Sequence, residues 1–407
     1  MSRIALVWEL GTSYGHISAL LLFARKLRQR GHEVVLVLRE LHNASGILGD
    51  GIPLLQSPIW LPQLTGLPEP PLNYSEILMR YGYFHADGLA GLVGAWRSLF
   101  ALHGSDTVVA DHSPTALLAA RSMGLAAATL GSGFYCPPRR TPMPNMRAWL
   151  DVPRERLEHS DALVLNSMNK VLARYKVKPL ASVGELFAIE ENFICTFAGL
   201  DHYPQREPVK YWGACWNVDT GQEVAWPDGS GKRVFVYLEP HQRDFAGVLE
   251  AVAALGLRAI VCAPGVSDDM RRRYENPRTL VSSNLFRLDR LLAECDLFIG
   301  YAGHGMTATM LMAGVPLLLL PTQLERFLLA TRVASMGAGI AVNPDAPPPD
   351  YPALIRMMLD VPGYREQARQ FATKHADFDQ NEQQENIVTR IEEIAIAAIA
   401  ARKQAKA

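Results

Sequence analysis

Short runs of apolar residues alternate with amphipathic segments along the first half of the chain. Continuous apolar runs of strand length are typical of a parallel sheet that is covered by helices on both faces. The pattern predicts strands at residues 3–8, 32–38, 106–110, 126–130, 161–166 and 192–197, and helices at 17–30 and 114–123. Gly31 and Gly124 follow the two helices directly, where glycine commonly ends a helix. The first half is therefore predicted to be a doubly wound α/β domain.

The alternation stops in a segment rich in proline and glycine and then begins again. Residues 201–232 contain three prolines and four glycines, which marks the connection between two domains. After it the pattern predicts strands at 233–238, 258–262, 297–301 and 317–320, and helices at 245–255, 288–294, 306–313 and 327–336. We therefore predict an N-terminal Rossmann-like domain over residues 1–205, a linker over 206–232 and a C-terminal Rossmann-like domain over 233–380. Apolar residues at helical spacing predict a last amphipathic helix over 381–407.

Charge and cysteine content exclude several classes of protein. The chain of 407 residues has 40 Lys and Arg against 41 Asp and Glu, which gives no basic surface for nucleic acid. Its 5 cysteines are far apart and form no C-x-x-C pair, so we expect neither a disulfide framework nor a structural zinc site. The most apolar window, 312–321, is about half of what a membrane-spanning helix requires. Without a signal-peptide pattern at the start, a cytoplasmic location is expected. The sequence leaves the oligomeric state open.

Two loops that follow predicted strands carry a histidine and an aspartate. Open α/β sheets bind ligands beyond the carboxyl ends of their strands, so the loops at 9–16, 111–114 and 302–306 are candidate sites. His16 is a candidate general base because imidazole titrates near neutral pH, and Asp111 is a candidate to orient it. The alternative is that His16 is an ordinary loop residue and Asp111 caps the next helix. The adjacent His112 is a rival for either role.

The loop at 301–307 follows a predicted strand and opens a helix. Backbone N–H groups at a helix N-terminus bind phosphate groups, so this loop is a candidate diphosphate site. The loop residues that could bind a diphosphate are Gly303, His304, Gly305, Met306 and Thr307. In the alternative interpretation the two glycines only permit a tight turn.

An aromatic and proline-rich insertion lies between residues 57 and 100. Because binding clefts are mostly apolar, the insertion is a candidate site for a flat, hydrophobic acceptor. The acceptor-binding residues predicted from it and from the segment at 131–135 are Trp60, Tyr81, Phe84 and Phe134. The alternative is that these side chains pack the helices of the insertion.

Four stretches in the same order resemble the GT-B family 1 glycosyltransferases, the UDP-glycosyltransferase and macrolide-glycosyltransferase group. The first stretch is Gly15-His16 with residues 30–34, and the second is the predicted strand end at residues 108–111. The third is residues 200–204 with 211–213. The fourth comprises residues 291–296, 303–305 and 313–316, followed by Pro321 and Ala330. The resemblance implies a GT-B architecture with two Rossmann-like domains facing a cleft. It also implies that the last helix packs back towards the N-terminal domain.

The C-terminal stretch departs from the donor signature of that family. Aligned on residues 314–316, the position of the family's phosphate-binding histidine is Tyr301, the following glycine is Ala302, and the glutamate in the helix is Thr309. The family's Asp-Gln pair, which holds sugar hydroxyls, becomes Glu325-Arg326. The resemblance thus implies that Tyr301, Glu325 and Arg326 also bind the sugar donor, and the alternative is that Glu325 is an ordinary acidic residue at a helix start. Residues 238–240, Leu-Glu-Pro, stand where the family has a Gly-Ser loop.

These features together predict a metal-independent, inverting glycosyltransferase. It would move a sugar from a UDP or dTDP donor to a hydroxyl of a hydrophobic small molecule, with the nucleotide sugar as a co-substrate and no other cofactor. No histidine has a second ligand at metal spacing, and the one Asp-x-Asp, at 377–379, lies in the polar segment just before the predicted last helix. Two alternatives keep the same fold: a non-catalytic nucleotide-sugar-binding or activator protein, and a nucleotide-sugar epimerase.

Overall fold

The computed structural model describes residues 1–11, 14–42, 44, 51–215 and 221–404. Parts of the predicted loop at 9–16, of the linker and of the last helix lie outside these ranges, namely residues 12–13, 216–220 and 405–407. The chain forms two compact units. Unit 1 contains residues 1–196, 203–213 and 379–407, and unit 2 contains residues 197–202 and 214–378.

Unit 1 is built on a parallel sheet of six strands in the order β3-β2-β1-β4-β5-β6. The strands are β1 (Arg3–Trp8), β2 (Glu33–Leu38), β3 (Leu54–Gln56), β4 (Thr107–Asp111), β5 (Ala126–Gly131) and β6 (Glu191–Ile194). The helices that come before the linker are α1 (Tyr14–Gln29), α2 (Tyr74–Leu78), α3 (Ala86–His103), α4 (Pro114–Met123) and α5 (Arg154–Arg174). The central strands are almost fully buried, which explains their uninterrupted apolar sequence.

Unit 2 contains a second parallel sheet of six strands, in the order β12-β11-β10-β7-β8-β9. The strands are β7 (Arg233–Tyr237), β8 (Arg258–Cys262), β9 (Thr279–Ser282), β10 (Leu297–Gly300), β11 (Leu317–Leu319) and β12 (Gly339–Ala341). Its helices are α6 (Phe245–Ala254), α7 (Asp268–Tyr274), α8 (Asp289–Glu294), α9 (His304–Met312), α10 (Leu324–Ser335), α11 (Tyr351–Asp360) and α12 (Pro362–Lys374). Apolar cores lie on both faces of this sheet.

The two sheets confirm the predicted fold class of two Rossmann-like α/β domains. Strand order reverses between β1 and β4 in the first sheet and between β7 and β10 in the second. At these two places the loops on either side diverge and leave a crevice for a ligand. Trp8 is in register with Asp111 at the first reversal, and Tyr237 is in register with Gly300 at the second.

The strand predicted at residues 161–166 is wrong. These residues lie inside α5, and the buried positions of that helix include Asp161, Val164, Met168 and Val171. A spacing of three to four residues between buried positions is that of a helix with one face on the core. The short apolar run at 162–165 has the length of a strand, which is why the local sequence alone is ambiguous.

The last helix, α13 (Gln380–Gln404), packs on the sheet of unit 1 through an apolar stripe. Ile387, Val388 and Ile391 are fully buried in this stripe. On the neighbouring face, Arg30, which directly follows α1, forms ion pairs with Glu385 and Glu392. The helix is therefore held by an apolar face and by charges at its border.

Candidate functional site

His16 and Asp111 meet at the strand reversal of unit 1. His16 lies in the first turns of α1, and Asp111 is the last residue of β4, yet their side chains are joined by a hydrogen bond of 2.9 Å between Nδ1 and Oδ2. Both side chains are more than nine-tenths buried. A neutral imidazole that donates from Nδ1 to a carboxylate presents Nε2 as the proton acceptor. The structure thus brings the two predicted residues into the geometry that a general base needs.

The ring of His16 is held between two aromatic side chains. Trp8 stacks on it with a centroid distance of 4.9 Å and an angle of 19°, and the indole N–H of Trp8 donates to the carbonyl oxygen of Leu10. Tyr135 lies against His16 at 5.3 Å. Such contacts restrict rotation of the imidazole, so its orientation does not depend on the bond to Asp111 alone. No motif in the sequence indicated a role for Trp8, although it is the last residue of β1, at the strand reversal.

His112, the predicted rival, does not bond to Asp111 through its side chain. It is the residue after β4 and has a positive φ of 42°, which a residue with a Cβ seldom adopts. Its ring stacks on Tyr135 at 4.6 Å and meets the edge of Phe134 at 6.1 Å. Desolvation, together with the nearby His16 and Arg39, holds the pKa of His112 well below its usual value. The ring is therefore uncharged at neutral pH.

A buried carboxyl group, Glu9, directly follows β1 near this pair, and no sequence motif indicated a role for it. It accepts a hydrogen bond of 2.9 Å from the backbone N–H of Thr115, in the first turn of α4. Burial raises the pKa of Glu9 to about 7, against hydrogen bonds from Thr115 that act in the opposite direction. Tyr83 of the insertion lies 3.1 Å from the hydroxyl of the same Thr115. Glu9 therefore anchors the start of the helix that follows Asp111 and His112.

The four predicted acceptor-binding residues fall in two places. Phe134 lies beside Tyr135 and His112, next to the candidate base. Trp60 instead stacks on His85, whose ring also meets the edge of Phe84. Trp60 and Phe84 thus share a neighbour within the insertion.

Trp60 packs closely on the helices of the insertion. A Cβ added at Gly82 or Gly88 would come within 2.7 Å or 2.5 Å of its ring, so the two glycines make room for the indole. Tyr81, beside Gly82, is partly buried against the core of unit 1. The alternative interpretation, that these side chains pack the insertion, is therefore favoured for Trp60 and Tyr81.

In unit 2 the predicted donor residues lie around the second strand reversal. Tyr301 follows β10 and its ring lies 5.1 Å from that of Tyr237, the last residue of β7. Desolvation raises the pKa of each phenol, and the neighbouring phenol adds to the rise at Tyr237. The guanidinium of Arg326, in the first turn of α10, lies over the Tyr301 ring at 4.3 Å. Glu325 occupies the same first turn as Arg326.

The remaining predicted donor residues form the start of α9. Gly303 is its N-cap, and His304, Gly305 and Met306 form its first turn, so their backbone N–H groups point out of the helix end. The side-chain hydroxyl of Thr307 is buried and has no hydrogen-bond partner among the described residues. Desolvation lowers the pKa of His304 to about 4, although Asp201 acts in the opposite direction. At neutral pH His304 is therefore an uncharged hydrogen-bonding group, and Arg326 supplies the positive charge beside this loop.

Ala302 has a left-handed backbone, with φ at 62°, at the position where family 1 glycosyltransferases have glycine. Relief of left-handed strain by glycine is worth about 1–2 kcal/mol, and the lost methyl burial and added chain entropy oppose it by a similar amount. We expect Ala302→Gly to stay within about 0.5 kcal/mol of the wild type in urea unfolding. The buried Ala308, inside α9, is the matched control, and Ala308→Gly should lose about 1 kcal/mol or more. Equal losses in both variants would show that the backbone at Ala302 is not strained.

No group of three or more His, Cys, Asp or Glu side chains in the described ranges is arranged to hold a metal ion. Among the described helices, none combines the length and the apolar character that crossing a membrane demands.

Comparisons with known proteins identify the architecture. Residues 248–394 match the family model described as Erythromycin biosynthesis protein CIII-like, C-terminal domain. The glycotransferase of kitacinnamycin has a similar structure, with a TM-score of 0.68 and 19% identity over 96% of this chain and 99% of that chain. The protein has the GT-B fold. The resemblance to family 1 GT-B glycosyltransferases, which the sequence motifs indicate, is confirmed.

Two further structures carry the same fold. The glycosyltransferase VinC, in complex with dTDP, superposes with a TM-score of 0.68 and 15% identity over 97% of this chain and all (100%) of VinC. The Streptomyces sp. SF2575 glycosyltransferase SsfS6 gives a TM-score of 0.61 and 20% identity over 96% of this chain and 100% of that chain. Curated protein sequences contain no significant match. These structures and that of the kitacinnamycin glycotransferase show the fold of this chain.

Proposed function

We propose that this GT-B protein is a metal-independent, inverting glycosyltransferase that acts on a hydroxyl group of a hydrophobic natural product. The observation that carries the proposal is the buried pair of His16 and Asp111, with 2.9 Å between Nδ1 and Oδ2, at the strand reversal of unit 1. This arrangement supplies a base of fixed tautomer at the edge of the sheet where α/β proteins bind ligands. The natural-product context of the similar glycosyltransferases supports the acceptor class.

In the proposed reaction, Nε2 of His16 takes the proton of the acceptor hydroxyl as that oxygen attacks the anomeric carbon of the donor. The bond from the anomeric carbon to the nucleoside diphosphate breaks on the opposite face, so a single displacement inverts the anomeric configuration. Asp111 stabilises the imidazolium that forms and keeps Nδ1 protonated throughout. Trp8 and Tyr135 keep the ring in place during the proton transfer.

The donor is proposed to be a dTDP or UDP sugar bound at the start of α9. Backbone N–H groups of a helix start and the helix dipole stabilise the negative charge of a diphosphate. Arg326, held over the ring of Tyr301, places a cation beside this helix start. Together they provide the charge compensation that a divalent metal ion provides in other sugar-nucleotide transferases. Binding of dTDP by VinC supports the nucleotide class.

The proposal is tested by incubating the protein with dTDP-glucose or UDP-glucose and a panel of phenolic and macrolide acceptors, with and without EDTA. We expect a glycosylated product by mass spectrometry, an inverted anomeric centre by NMR and no loss of rate with EDTA. A changed sugar without any acceptor would favour the epimerase alternative. Donor binding without transfer or hydrolysis across the panel would favour a non-catalytic protein.

A separate prediction concerns the binding of dTDP at the proposed donor site. Gly305→Val is expected to abolish binding of dTDP in calorimetry, because a branched side chain in the first turn of α9 blocks the approach of a diphosphate to the backbone. Gly305→Ala is the matched control and should weaken binding less. Tyr301→His should strengthen binding by about tenfold, since it adds the phosphate-bonding imidazole of the family. Normal binding by Gly305→Val would mean that the diphosphate does not lie on this helix start.

A further inference from the structure

The proposed mechanism leaves one buried histidine of unit 1 without a role. His112 is 6% exposed, and neither of its ring nitrogens has a hydrogen-bond partner among the described residues. Buried polar groups without a partner are costly, and so is a left-handed backbone at a residue with a Cβ. The backbone oxygen of His112 accepts a hydrogen bond of 3.0 Å from Leu10, which ties the loop after β4 to the loop after β1. The fold therefore holds an unpaired imidazole in a strained place beside His16.

His112 and His16 face the same small space. A Cβ built on Gly11 would lie 3.0 Å from Nε2 of His16 and 3.5 Å from Nδ1 of His112. Both nitrogens are thus within 3.5 Å of a single point that is left without a side chain because residue 11 is glycine. With φ at 84°, Gly11 also has a backbone conformation that strongly favours glycine. Glycine at position 11 therefore places no side chain against either of the two nitrogens.

The chemistry of His112 is that of a neutral imidazole. The charged or titratable groups that influence it are His16 and Arg39, and desolvation acts in the same direction. A neutral imidazole donates one hydrogen bond and accepts another. Because it is uncharged, it does not oppose the protonation of the neighbouring His16. Such a group recognises a hydroxyl or a carbonyl oxygen.

We propose that His112 hydrogen-bonds a second oxygen of the acceptor, adjacent to the hydroxyl whose proton His16 takes. The site would then select acceptors with vicinal oxygens, such as 1,2-diols, catechols and α-hydroxy ketones. This inference rests on the proposed function, since it takes His16 as the base. It makes His112 a determinant of specificity, and the aromatic rings of Tyr135 and Phe134 hold its imidazole in position.

The test uses two flat acceptors that differ in one hydroxyl: alizarin, which is 1,2-dihydroxyanthraquinone, and 2-hydroxyanthraquinone. Binding of each to the full chain is followed by absorbance titration without donor, and transfer is measured separately with dTDP-glucose or UDP-glucose. We expect the wild type to bind alizarin about ten- to a hundredfold more tightly, the range for one buried hydrogen bond to a partner that is otherwise left unsatisfied. Equal affinity for the two acceptors, or no binding of either, would overturn the inference.

Two variants assign the preference to His112. Asparagine and leucine have the same branching and lose the same ring contacts, but only His112→Asn keeps a hydrogen-bonding group and a residue that tolerates a left-handed backbone. In His112→Leu the ratio of the two affinities should fall to near one, whereas His112→Asn should retain most of it. A parallel loss for both acceptors in His112→Leu, with the ratio unchanged, would indicate a structural role and contradict the inference.

If His112→Leu does not fold, as judged by thermal unfolding, the wild type still provides the test with alizarin 1-methyl ether. That compound keeps an adjacent oxygen that accepts a hydrogen bond but cannot donate one. If the wild type binds neither alizarin nor its ether more tightly than 2-hydroxyanthraquinone, the inference is overturned. Selective binding of alizarin without sugar transfer would refute the proposed function and leave the recognition role of His112 standing.

Discussion

Replacement of His16 by alanine is expected to lower kcat for sugar transfer by about 10²–10⁴-fold, the usual contribution of a general base. Binding of dTDP should be largely unchanged, because the proposed donor residues lie in unit 2. Asp111→Asn should lose about two orders of magnitude or more, since an amide cannot stabilise an imidazolium and does not fix its tautomer. Initial rates at saturating donor and acceptor, together with calorimetry on dTDP, measure both effects.

The chain offers a matched control for His16. His32 is also mostly buried and bonds a carboxylate, with 2.8 Å between its Nε2 and Oε1 of Glu392. It lies just before β2, at the end of the strand opposite the carboxyl end where ligands are expected. His32→Ala should therefore affect stability while leaving turnover close to that of the wild type. Near-wild-type turnover in His16→Ala would refute the assignment of the base and direct attention to His112.

The variant Glu9→Gln is expected to be more stable than the wild type at alkaline pH. The pKa of Glu9 is raised to about 7 in the folded protein from 4.5, so folding disfavours its ionised form. Stability is therefore lost as the pH rises from the unfolded-state pKa through the folded-state pKa. At pH 8 the penalty amounts to about 3 kcal/mol, and at pH 5 to about 1 kcal/mol or less. Glutamine removes the charge and keeps an oxygen that accepts from the N–H of Thr115.

Urea unfolding of the wild type and of Glu9→Gln at pH 5 and pH 8 measures this difference. Because the two proteins are compared at the same pH, the titration of every other group cancels. Glu76→Gln is the control, because Glu76 is also fully buried but pairs with Nε and Nη2 of Arg156 at 2.9 Å. Neutralising Glu76 should destabilise the protein, since it breaks a buried ion pair. A loss of stability in Glu9→Gln at pH 8 would show that the start of α4 stabilises the carboxylate by more than burial destabilises it.

Local sequence was sufficient to predict most of the elements that place the candidate site. Strands in a covered parallel sheet have apolar residues on both faces, so β1, β4, β7 and β10 are continuous apolar runs. Ligands bind beyond the carboxyl ends of such strands, which directed the search to His16, Asp111 and the loop that follows β10. Their side-chain types then restricted the chemistry to proton transfer and anion binding.

Other features depended on contacts between distant parts of the chain. The run at 162–165 has strand length, but it belongs to α5, which presents one face of a helix to the core. The hydrogen-bonded residues Glu9 and Thr115 are 106 positions apart in the chain, and His16 and Asp111 are 95 positions apart. No local pattern specifies such pairs, because they form only when strand order brings the two loops together.

The sequence by itself therefore determined the α/β alternation, the glycine- and proline-rich connection and the position of Asp111 at a strand end. His16, which was predicted in the loop after β1, lies instead in the first turn of α1. Only the tertiary structure decided which groups are desolvated: Glu9, whose pKa is raised, and the neutral His112 in unit 1, and the phenols of Tyr237 and Tyr301 in unit 2. The physical reason is that a side-chain pKa and the partners of a buried polar group are set by the surrounding atoms. Those atoms come from neighbouring strands of the sheet, which are far apart in the chain.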